Sequence, residues 1–333
     1  MRPEEFPDSS YLVWESRCKR AKRRLPVRQK TSTVNSILSV QSVTKFYGRI
    51  RALNQVSLEV PPGSVYGVLG PNGSGKTTLL GIVMDVLKPT GGTYAWFGEP
   101  PSEKQRRKIG TLLETPNFYH YLSGERNLRI AAAIKGRGME DIPRVLEMVK
   151  LTERKDSKFS TYSLGMKQRL AIASCMLGNP DVLVFDEPTN GLDPVGIAET
   201  RETIRQLAKE GKTIVLASHL LDEVEKVCTH VAILQRGQLL MAGDVREVLI
   251  NEDIVELGAA DGSLQRLPEL LAAWPGVRQI KANDGLIQLF FEQGRTPDTG
   301  ELNRFCFDKG IILNHLQLRK RSLESKFMEI TKD

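Results

Sequence analysis

Eight consecutive residues have the types and spacing of a loop that binds phosphate. They are Gly70, Pro71, Asn72, Gly73, Ser74, Gly75, Lys76 and Thr77, and they stand between a strand-like run at 64–69 and a helical pattern at 78–86. Glycines allow backbone N–H groups to converge on phosphate oxygens, and the start of a helix adds its positive dipole end. We expect Lys76 to reach the β- and γ-phosphates and the Thr77 hydroxyl to ligate Mg²⁺. The loop therefore predicts a site for a nucleoside triphosphate.

Two adjacent carboxylates, Asp186 and Glu187, form the second group with a chemical role. They follow the apolar run 182–185, which has the pattern of a strand. At the end of a strand both side chains can reach a ligand at the carboxyl edge of a sheet. We expect Asp186 to hold Mg²⁺, directly or through water, and Glu187 to orient and deprotonate an attacking water. Such a pair alone is more often a solvated turn, but together with Lys76 it favours phosphoanhydride hydrolysis.

The elements that must position these groups have the pattern of an α/β fold. Two continuous apolar runs, 182–185 and 213–217, are separated by a helical stretch, which is typical of parallel strands buried on both faces of a sheet. Residues 37–40 predict another strand, whereas 109–150 predicts mainly helix. We therefore expect an α/β domain with a parallel-sheet core over 37–245.

After about Gly243 the pattern changes to that of a small α+β domain, which we place at 246–333. The order of elements there is strand, helix, strand, strand, helix, strand, and Asp284-Gly285 has the sequence of a hairpin turn between the two central strands. A final helix is predicted over 323–330. This βαββαβ order predicts a separate accessory domain.

Most of the net charge of +7 lies at the N-terminus. Residues 1–36 carry nine basic and four acidic side chains, which leaves +5 there and only +2 in the other 297 residues. We expect a solvated, mostly disordered extension; contact with acidic lipid headgroups or RNA, or a misplaced start codon, are the alternatives. Because the body is nearly neutral, we expect no nucleic-acid partner.

Cysteine spacing and hydropathy argue against a disulfide- or zinc-stabilised protein and against a protein with membrane-spanning helices. The four cysteines show no paired spacing and no signal peptide precedes them, so they are predicted to be reduced thiols rather than disulfides or zinc ligands. No stretch approaches 18 apolar residues, so no membrane-spanning helix is expected.

Four motifs in one order carry a family resemblance. They are the phosphate loop, Tyr162-Ser163-Leu164-Gly165-Met166-Lys167-Gln168-Arg169, Asp186-Glu187-Pro188-Thr189-Asn190-Gly191-Leu192-Asp193-Pro194, and Ser218-His219. In this order and spacing, residues 37–245 resemble the nucleotide-binding domain of an ABC transporter. Through segments 112–119, 162–169 and 322–330, the chain more closely resembles the stand-alone ATPases of antibiotic and lantibiotic export systems. The resemblance implies a P-loop NTPase fold of ABC type, with antiparallel strands and a helical subdomain beside the parallel sheet.

The same resemblance implies an ATPase that uses ATP and Mg²⁺, with two copies sandwiching two ATP molecules. It assigns His219 to the γ-phosphate and to holding Glu187 and the water in line, Tyr47 to stacking on adenine, and Asp193 to the dimer interface. The implied catalytic residues are Glu187, His219 and Lys76; the nucleotide-binding residues are Tyr47, Gly70, Pro71, Asn72, Gly73, Ser74, Gly75, Lys76, Thr77, Thr78, Ser163, Gly165 and Asp193; the metal ligands are Thr77, Asp186 and Glu114.

Three positions depart from the family pattern. Leu164 stands where the family has the first glycine of its signature sequence, Met166 where it has a glutamine, and Glu114 where it again has a glutamine. Ser163 and Gly165 match the family, so the γ-phosphate contacts across the dimer are expected to persist. The strength of dimer closure and the rate of turnover stay open.

The resemblance also implies partners outside this chain. A homodimer or heterodimer of this chain would drive a separate permease. Residues 115–124 would contact that permease with an apolar surface formed by Phe118, Tyr119, Tyr121 and Leu122. The alternative is that some of these side chains belong to the core. The chain is then expected on the cytoplasmic face of the membrane, bound through the permease, with export implied only by the subfamily. The alternatives are an ABC-type ATPase that acts on ribosomes or nucleic acid, and an ATP-dependent regulatory module. The single copy of each motif disfavours the ribosomal class.

Overall fold

The computed structural model describes residues 36–113, 117–249, 254–259, 263–283, 285–291 and 298–319, together with Leu323 and Phe327, all within the compact unit Ser36–Asp333. The predicted extension, apart from Ser36, lies outside the described residues, as do Glu114 and most of the predicted final helix. The strands are β1 (Leu38–Tyr47), β2 (Ile50–Val60), β3 (Val65–Leu69), β4 (Gly91–Trp96), β5 (Ile109–Leu112), β6 (Val182–Asp186), β7 (Thr213–Ser218), β8 (His230–Gln235), β9 (Gln238–Asp244), β10 (Ile254–Ala259), β11 (Val277–Asn283), β12 (Leu286–Phe291) and β13 (Leu313–Arg319). The helices are α1 (Lys76–Val83), α2 (Glu103–Arg106), α3 (Gly124–Lys135), α4 (Ile142–Met148), α5 (Leu164–Met176), α6 (Pro194–Lys209), α7 (Leu221–Val227), α8 (Val245–Leu249), α9 (Leu267–Leu271) and α10 (Thr299–Asp308).

A six-stranded sheet in the order β5-β6-β7-β3-β8-β9 forms the centre of the larger domain. All neighbouring pairs are parallel except β8 and β9, and every residue of β3, β6 and β7 is buried. Leu69 pairs with Ser218 and Asp186 pairs with Ala217, so the three central strands end together at one edge of the sheet. The phosphate loop, the acidic pair and His219 therefore share that edge, and the predicted parallel strands are confirmed.

A three-stranded antiparallel sheet, β2-β1-β4, packs over α1 on one side of the central sheet. Trp96 of this sheet is buried and its Nε1–H donates to the carbonyl oxygen of Val83 at the end of α1, at 2.7 Å. Helices α3, α4 and α5 form a helical subdomain whose side chains join a second cluster of buried residues, which includes Leu128 and Leu170. These two layers hold α1, which begins at Lys76 of the phosphate loop, and α5, which begins at Leu164 of the signature sequence.

One expectation about this region is wrong. Residues Ile109–Leu112 form the edge strand β5, parallel to β6, although the sequence from 109 onward predicted mainly helix. A strand of four residues is shorter than the window over which periodicity can be read, and its pairing with β6 comes from the distant segment Val182–Asp186.

The C-terminal residues form a four-stranded antiparallel sheet in the order β11-β12-β10-β13, with α9 and α10 beside its own buried core. The predicted βαββαβ order is confirmed. Leu323 behaves differently, because it is fully buried in the core of the larger domain and its N–H donates to Glu225 Oε2 of α7 at 2.9 Å. The chain thus returns from the accessory sheet to the α/β domain, and the division at residue 245 stays a prediction.

Candidate active site

The phosphate loop connects the buried strand β3 to α1, and two of its glycines have no room for a side chain. A Cβ on Gly70 would lie 2.2 Å from the carbonyl oxygen of Leu234, and a Cβ on Gly75 would lie 2.7 Å from that of Ala52. Gly75 also has φ +107°, a conformation that side chains rarely adopt. The backbone of the loop therefore lies directly against β8 and β2, which fixes its curve.

Lys76 directs its ammonium group back into the loop. Its Nζ donates to the carbonyl oxygens of Gly70 at 2.9 Å and Pro71 at 3.3 Å, and it lies 3.3 Å from Glu187 Oε1. The lysine is 5% exposed, so this charge is largely removed from water and is compensated by a carboxylate and two carbonyl dipoles. A phosphate bound in the loop would meet this cation at short range.

Glu187 lies at the centre of the site. It follows β6 with φ +49°, which breaks the alternation of a strand, and its N–H donates to the carbonyl oxygen of Ala217 at 3.0 Å. One carboxylate oxygen faces Lys76, and the other lies 2.8 Å from His219 Nδ1. The tautomer with its proton on Nδ1 would donate this hydrogen bond and leave Nε2 for a further contact. Three residues far apart in sequence are thus joined into one group.

The residues around the loop fit a bound triphosphate. Helix α1 has neither a side-chain cap nor an acidic residue in its first turn, so its first N–H groups are available to an anion. Ser74 Oγ is buried, and no other described residue forms a hydrogen bond with it. The described residues contain no cluster of three or more metal-binding side chains. Mg²⁺ in such sites is held by one or two protein oxygens together with phosphates and water, which is the set that Thr77 and Asp186 offer.

The signature residues lie apart from this group, at the starts of two other helices. Ser163 caps α5, with its Oγ accepting from the N–H of Met166 at 3.3 Å, and Asp193 caps α6, with its Oδ1 accepting from Gly196 at 2.9 Å. A Cβ on Gly165 would lie 3.7 Å from Gly196 Cα, so the two helix starts touch. Among the hydrogen bonds and ion pairs of the described residues, none joins Ser163, Gly165 or Asp193 to the phosphate loop.

Tyr47 and Tyr162 differ in exposure. Tyr47 ends β1 and is exposed, and Lys45 Nζ lies over its ring, 5.2 Å from the centroid. Tyr162, just before Ser163, is buried and its hydroxyl donates to the carbonyl oxygen of Arg154 at 2.7 Å. Burial raises the pKa of Tyr162, which keeps it a neutral donor. Tyr162 thereby fixes the chain just before α5.

Sequence reasoning missed two residues that hold these segments in place. The N–H of Gly237, in the turn between β8 and β9, donates to the carbonyl oxygen of Ser74 at 2.9 Å, and its own carbonyl accepts from Asn54 at 2.8 Å. Asn127 of α3 is buried and bonds both the N–H and the carbonyl of Tyr119. An Arg-Gly turn was the available signal for the first, whereas a single asparagine in a helix gave none.

The predicted contact segment divides into a buried and an exposed part. Phe118 packs edge-on against Phe159 with ring centroids 5.2 Å apart, so it belongs to the core, whereas Tyr119 and Tyr121 are exposed. Beside them lies an open groove of about 380 Å³, lined by Asn117, Phe118, Tyr119, Asn127, Ile130, Ala131 and Ile134. Thr115 and Pro116 lie outside the described residues. No helix among the described residues combines the length and apolar character needed to cross a bilayer.

Comparison with known proteins gives one consistent family. The model of the family described as ABC transporter matches residues 53–190. The bacitracin transport ATP-binding protein BcrA of Enterococcus faecalis is 34% identical over 301 residues, which cover 88% of this chain and 96% of that protein. The lantibiotic transport ATP-binding protein SrtF of Streptococcus pyogenes is 38% identical over 205 residues, covering 62% and 90%.

A solved structure extends this comparison to three dimensions. The ATP-binding cassette MJ0796, described as a dimer in a post-hydrolysis state bound to ADP and Pi, is 27% identical with a TM-score of 0.56. It covers 63% of this chain and 99% of its own length. The predicted P-loop NTPase fold of ABC type is confirmed for the larger domain.

Proposed function

The chain belongs to the ABC transporter family of ATP-binding proteins and is an ATPase, and on that premise we propose that it dimerises around two ATP molecules and drives a separate membrane permease. The observation that carries the catalytic assignment is the Glu187 carboxylate, which lies between Lys76 Nζ and His219 Nδ1. A base, a cation and an orienting imidazole are the groups that hydrolysis of a terminal phosphate requires.

In the proposed reaction each member of this group has its own task. Glu187 accepts a proton from the water that attacks the γ-phosphorus, and His219 holds the carboxylate in position through Nδ1. Lys76 exchanges the carbonyl oxygens of Gly70 and Pro71 for β- and γ-phosphate oxygens. Since the ammonium is already desolvated in the loop, little reorganisation accompanies that exchange.

The other nucleotide contacts extend along the loop. Backbone N–H groups of the phosphate loop bind phosphate oxygens, apart from Pro71, which has no N–H, and Tyr47 stacks on adenine. The Thr77 hydroxyl and the Asp186 carboxylate, together with Glu114 outside the described residues, hold Mg²⁺. When bound, that ion neutralises phosphate charge.

The signature helix completes the site in a second copy. Ser163 and Gly165 offer a hydroxyl and backbone N–H groups at the start of α5, and within one chain they form no described hydrogen bond with the phosphate loop. In two copies placed head to tail, the signature residues of each copy complete the phosphate loop of the other, with Asp193 at the interface. MJ0796, described as a dimer bound to ADP and Pi, supports the proposal that this chain forms a dimer.

The permease contact is proposed for the groove beside Tyr119 and Tyr121. Its apolar wall ends at Ile134, which is 82% exposed, more than any other large apolar side chain among the described residues. Relatives named for bacitracin and lantibiotic transport favour export of a peptide antibiotic or similar compound, with this chain on the cytoplasmic face of the membrane.

The test is purification of the tagged full-length protein from membranes of its own host. We expect an integral membrane protein to accompany the wild type, and Ile134→Ser to reduce its recovery several-fold. Val86→Ser removes a similar aliphatic side chain that is 67% exposed elsewhere on the surface, and it serves as the control. Recovery with ribosomes or nucleic acid, and not with a membrane protein, would contradict the proposal.

A further inference from the structure

Helix α7 directly follows the catalytic edge of the central sheet. It begins at Leu221, two residues after His219, and ends at Val227. The N–H of Leu220 donates to Ser218 Oγ at 3.0 Å, which attaches the start of α7 to the end of β7. The orientation of α7 therefore bears on where the imidazole of His219 lies.

The larger domain itself holds α7 at few points. Of the seven described residues of this helix, Val224 alone is buried, and the others are partly or fully exposed. A Cβ on Gly67 would lie 2.7 Å from Val224 Cγ1, so the helix rests on β3 at this place. On the side of α6, Glu223 Oε2 lies 3.4 Å from Arg201 Nε. Because a short helix with few buried apolar contacts is held weakly, its remaining contacts have a large influence on its orientation.

Both connections between the larger domain and the accessory sheet are anchored beside α7. On the way into that sheet, the N–H of Val245 donates to the carbonyl oxygen of Thr229 at 2.8 Å, two residues after α7 ends. On the way back, the N–H of Leu323 donates to Glu225 Oε2 of α7 at 2.9 Å. Leu323 is fully buried in the core of the larger domain, and Phe327 packs against the same core. The two ends of the accessory sheet thus meet at one short helix.

The connection back to α7 is also short. Strand β13 ends at Arg319, and Leu323 is the fourth residue after it. Four residues span at most about 14 Å, so the accessory sheet cannot move far from α7 while Leu323 stays in the core. A displacement of the sheet therefore reaches α7 through Leu323 and the Glu225 carboxylate that binds it.

We propose that the accessory sheet positions His219 through α7, with Glu225 and Leu323 as positioning residues of the ATPase. While the hydrogen bond between these two residues is formed, α7 is fixed and His219 Nδ1 stays 2.8 Å from Glu187 Oε2. Without that bond, the start of α7 shifts and the imidazole no longer holds the carboxylate in line with the attacking water. The inference rests on the proposed role of His219 and deepens it. A ligand or partner that moves the accessory sheet would then change the rate of hydrolysis without contacting the phosphate loop.

The test is steady-state ATP hydrolysis by the purified full-length protein, with kcat and KM measured separately. A displacement of about 1 Å caused far from the chemistry can lower a rate about 10²-fold, so we expect the smaller shift caused by Glu225→Ala to lower kcat about tenfold. KM for ATP should stay within about twofold, because the phosphate loop is unchanged. Glu225→Gln keeps an acceptor oxygen for the N–H of Leu323 and should have the kcat of wild type. As the matched control, Asp222→Ala removes another carboxylate of α7, paired with Lys226 of the same helix, and should change neither constant.

An unchanged kcat for Glu225→Ala would overturn the inference, and so would an equal loss in Glu225→Gln or in Asp222→Ala. Leu323→Ala gives a second measurement on the other side of the bond, and it should also lower kcat without raising KM. Circular dichroism at the assay temperature checks that this variant is folded; should it not be, Glu225→Ala alone decides the matter.

His219→Ala separates this inference from the proposed function. We expect it to lower kcat more than Glu225→Ala does, because it removes the group that α7 positions. If His219→Ala hydrolyses ATP at the wild-type rate, the proposed role of His219 fails together with the inference. If His219→Ala loses activity while Glu225→Ala and folded Leu323→Ala keep the wild-type kcat, that role stands and only the positioning through α7 is overturned.

Discussion

Replacing Asn127 by alanine should destabilise the protein and release the segment that carries Tyr119 and Tyr121. The buried amide accepts from the N–H of Tyr119 at 2.8 Å and donates to the carbonyl oxygens of Tyr119 at 3.1 Å and Ser123 at 3.0 Å. Each such bond contributes about 1 kcal/mol net, and a buried group left without a partner costs about 1–3 kcal/mol. Because Tyr119 is half exposed, water can replace part of this set. We therefore expect Asn127→Ala to lower the free energy of unfolding by about 2–3 kcal/mol.

Urea titration followed by circular dichroism measures that change. Asn117→Ala removes an exposed asparagine from the same segment and should stay within about 0.5 kcal/mol of wild type. Asn127→Asp keeps one acceptor but directs a carboxylate at two carbonyl oxygens, so its loss should equal or exceed that of the alanine variant. ATP binding should persist in all three. A loss below about 0.5 kcal/mol for Asn127→Ala would refute the idea that this amide holds the segment.

Three further changes have outcomes set by local geometry. Gly75→Ala should weaken binding of a fluorescent ATP analogue at least about tenfold, because the added Cβ would clash with the carbonyl oxygen of Ala52. Gly98 also has a positive φ but has open space around it, so Gly98→Ala should leave binding unchanged. Equal effects of the two substitutions would argue against the clash. Cys175 and Cys228 should resist iodoacetamide at pH 8 in the native protein, because burial raises the pKa of Cys175 to about 11 and also raises the pKa of Cys228. Mass spectrometry after brief labelling measures this, and modification of either cysteine would contradict the prediction. Leu323→Ala should cost about 2–5 kcal/mol in urea unfolding, as for other leucines deleted from a core, and a cost below about 1 kcal/mol would contradict the burial of this side chain in the larger domain.

Some of this site could be predicted because its signals are local. The phosphate loop is continuous in sequence, and glycine, lysine and threonine at fixed spacing define its chemistry without a partner. Strands β6 and β7 are uninterrupted apolar runs, which is the pattern of strands buried on both faces. The acidic pair could be placed for the same reason, since it directly follows one of these runs.

Other features depend on segments that are distant in the chain. Lys76 meets Glu187 only because β6, β7 and β3 are neighbours in that order, and the order of strands is not written in any one of them. The hydrogen bond from Gly237 to the loop crosses more than half of the domain in sequence. The positive φ of Glu187 is a property of the turn after β6, and a glutamate by itself does not predict it. Tertiary packing decided each of these.

In the proposed reaction Glu187, held by Lys76 and His219, is the base that activates water. Release of phosphate from ATP by the purified full-length protein tests it most directly, with wild type and Glu187→Gln compared under the same conditions. Loss of a general base lowers the rate by about 10²–10⁴-fold. Affinity for ATP should stay within about threefold, because glutamine keeps the shape of the side chain and one of its two acceptor oxygens. Hydrolysis by Glu187→Gln at the wild-type rate would contradict the assignment.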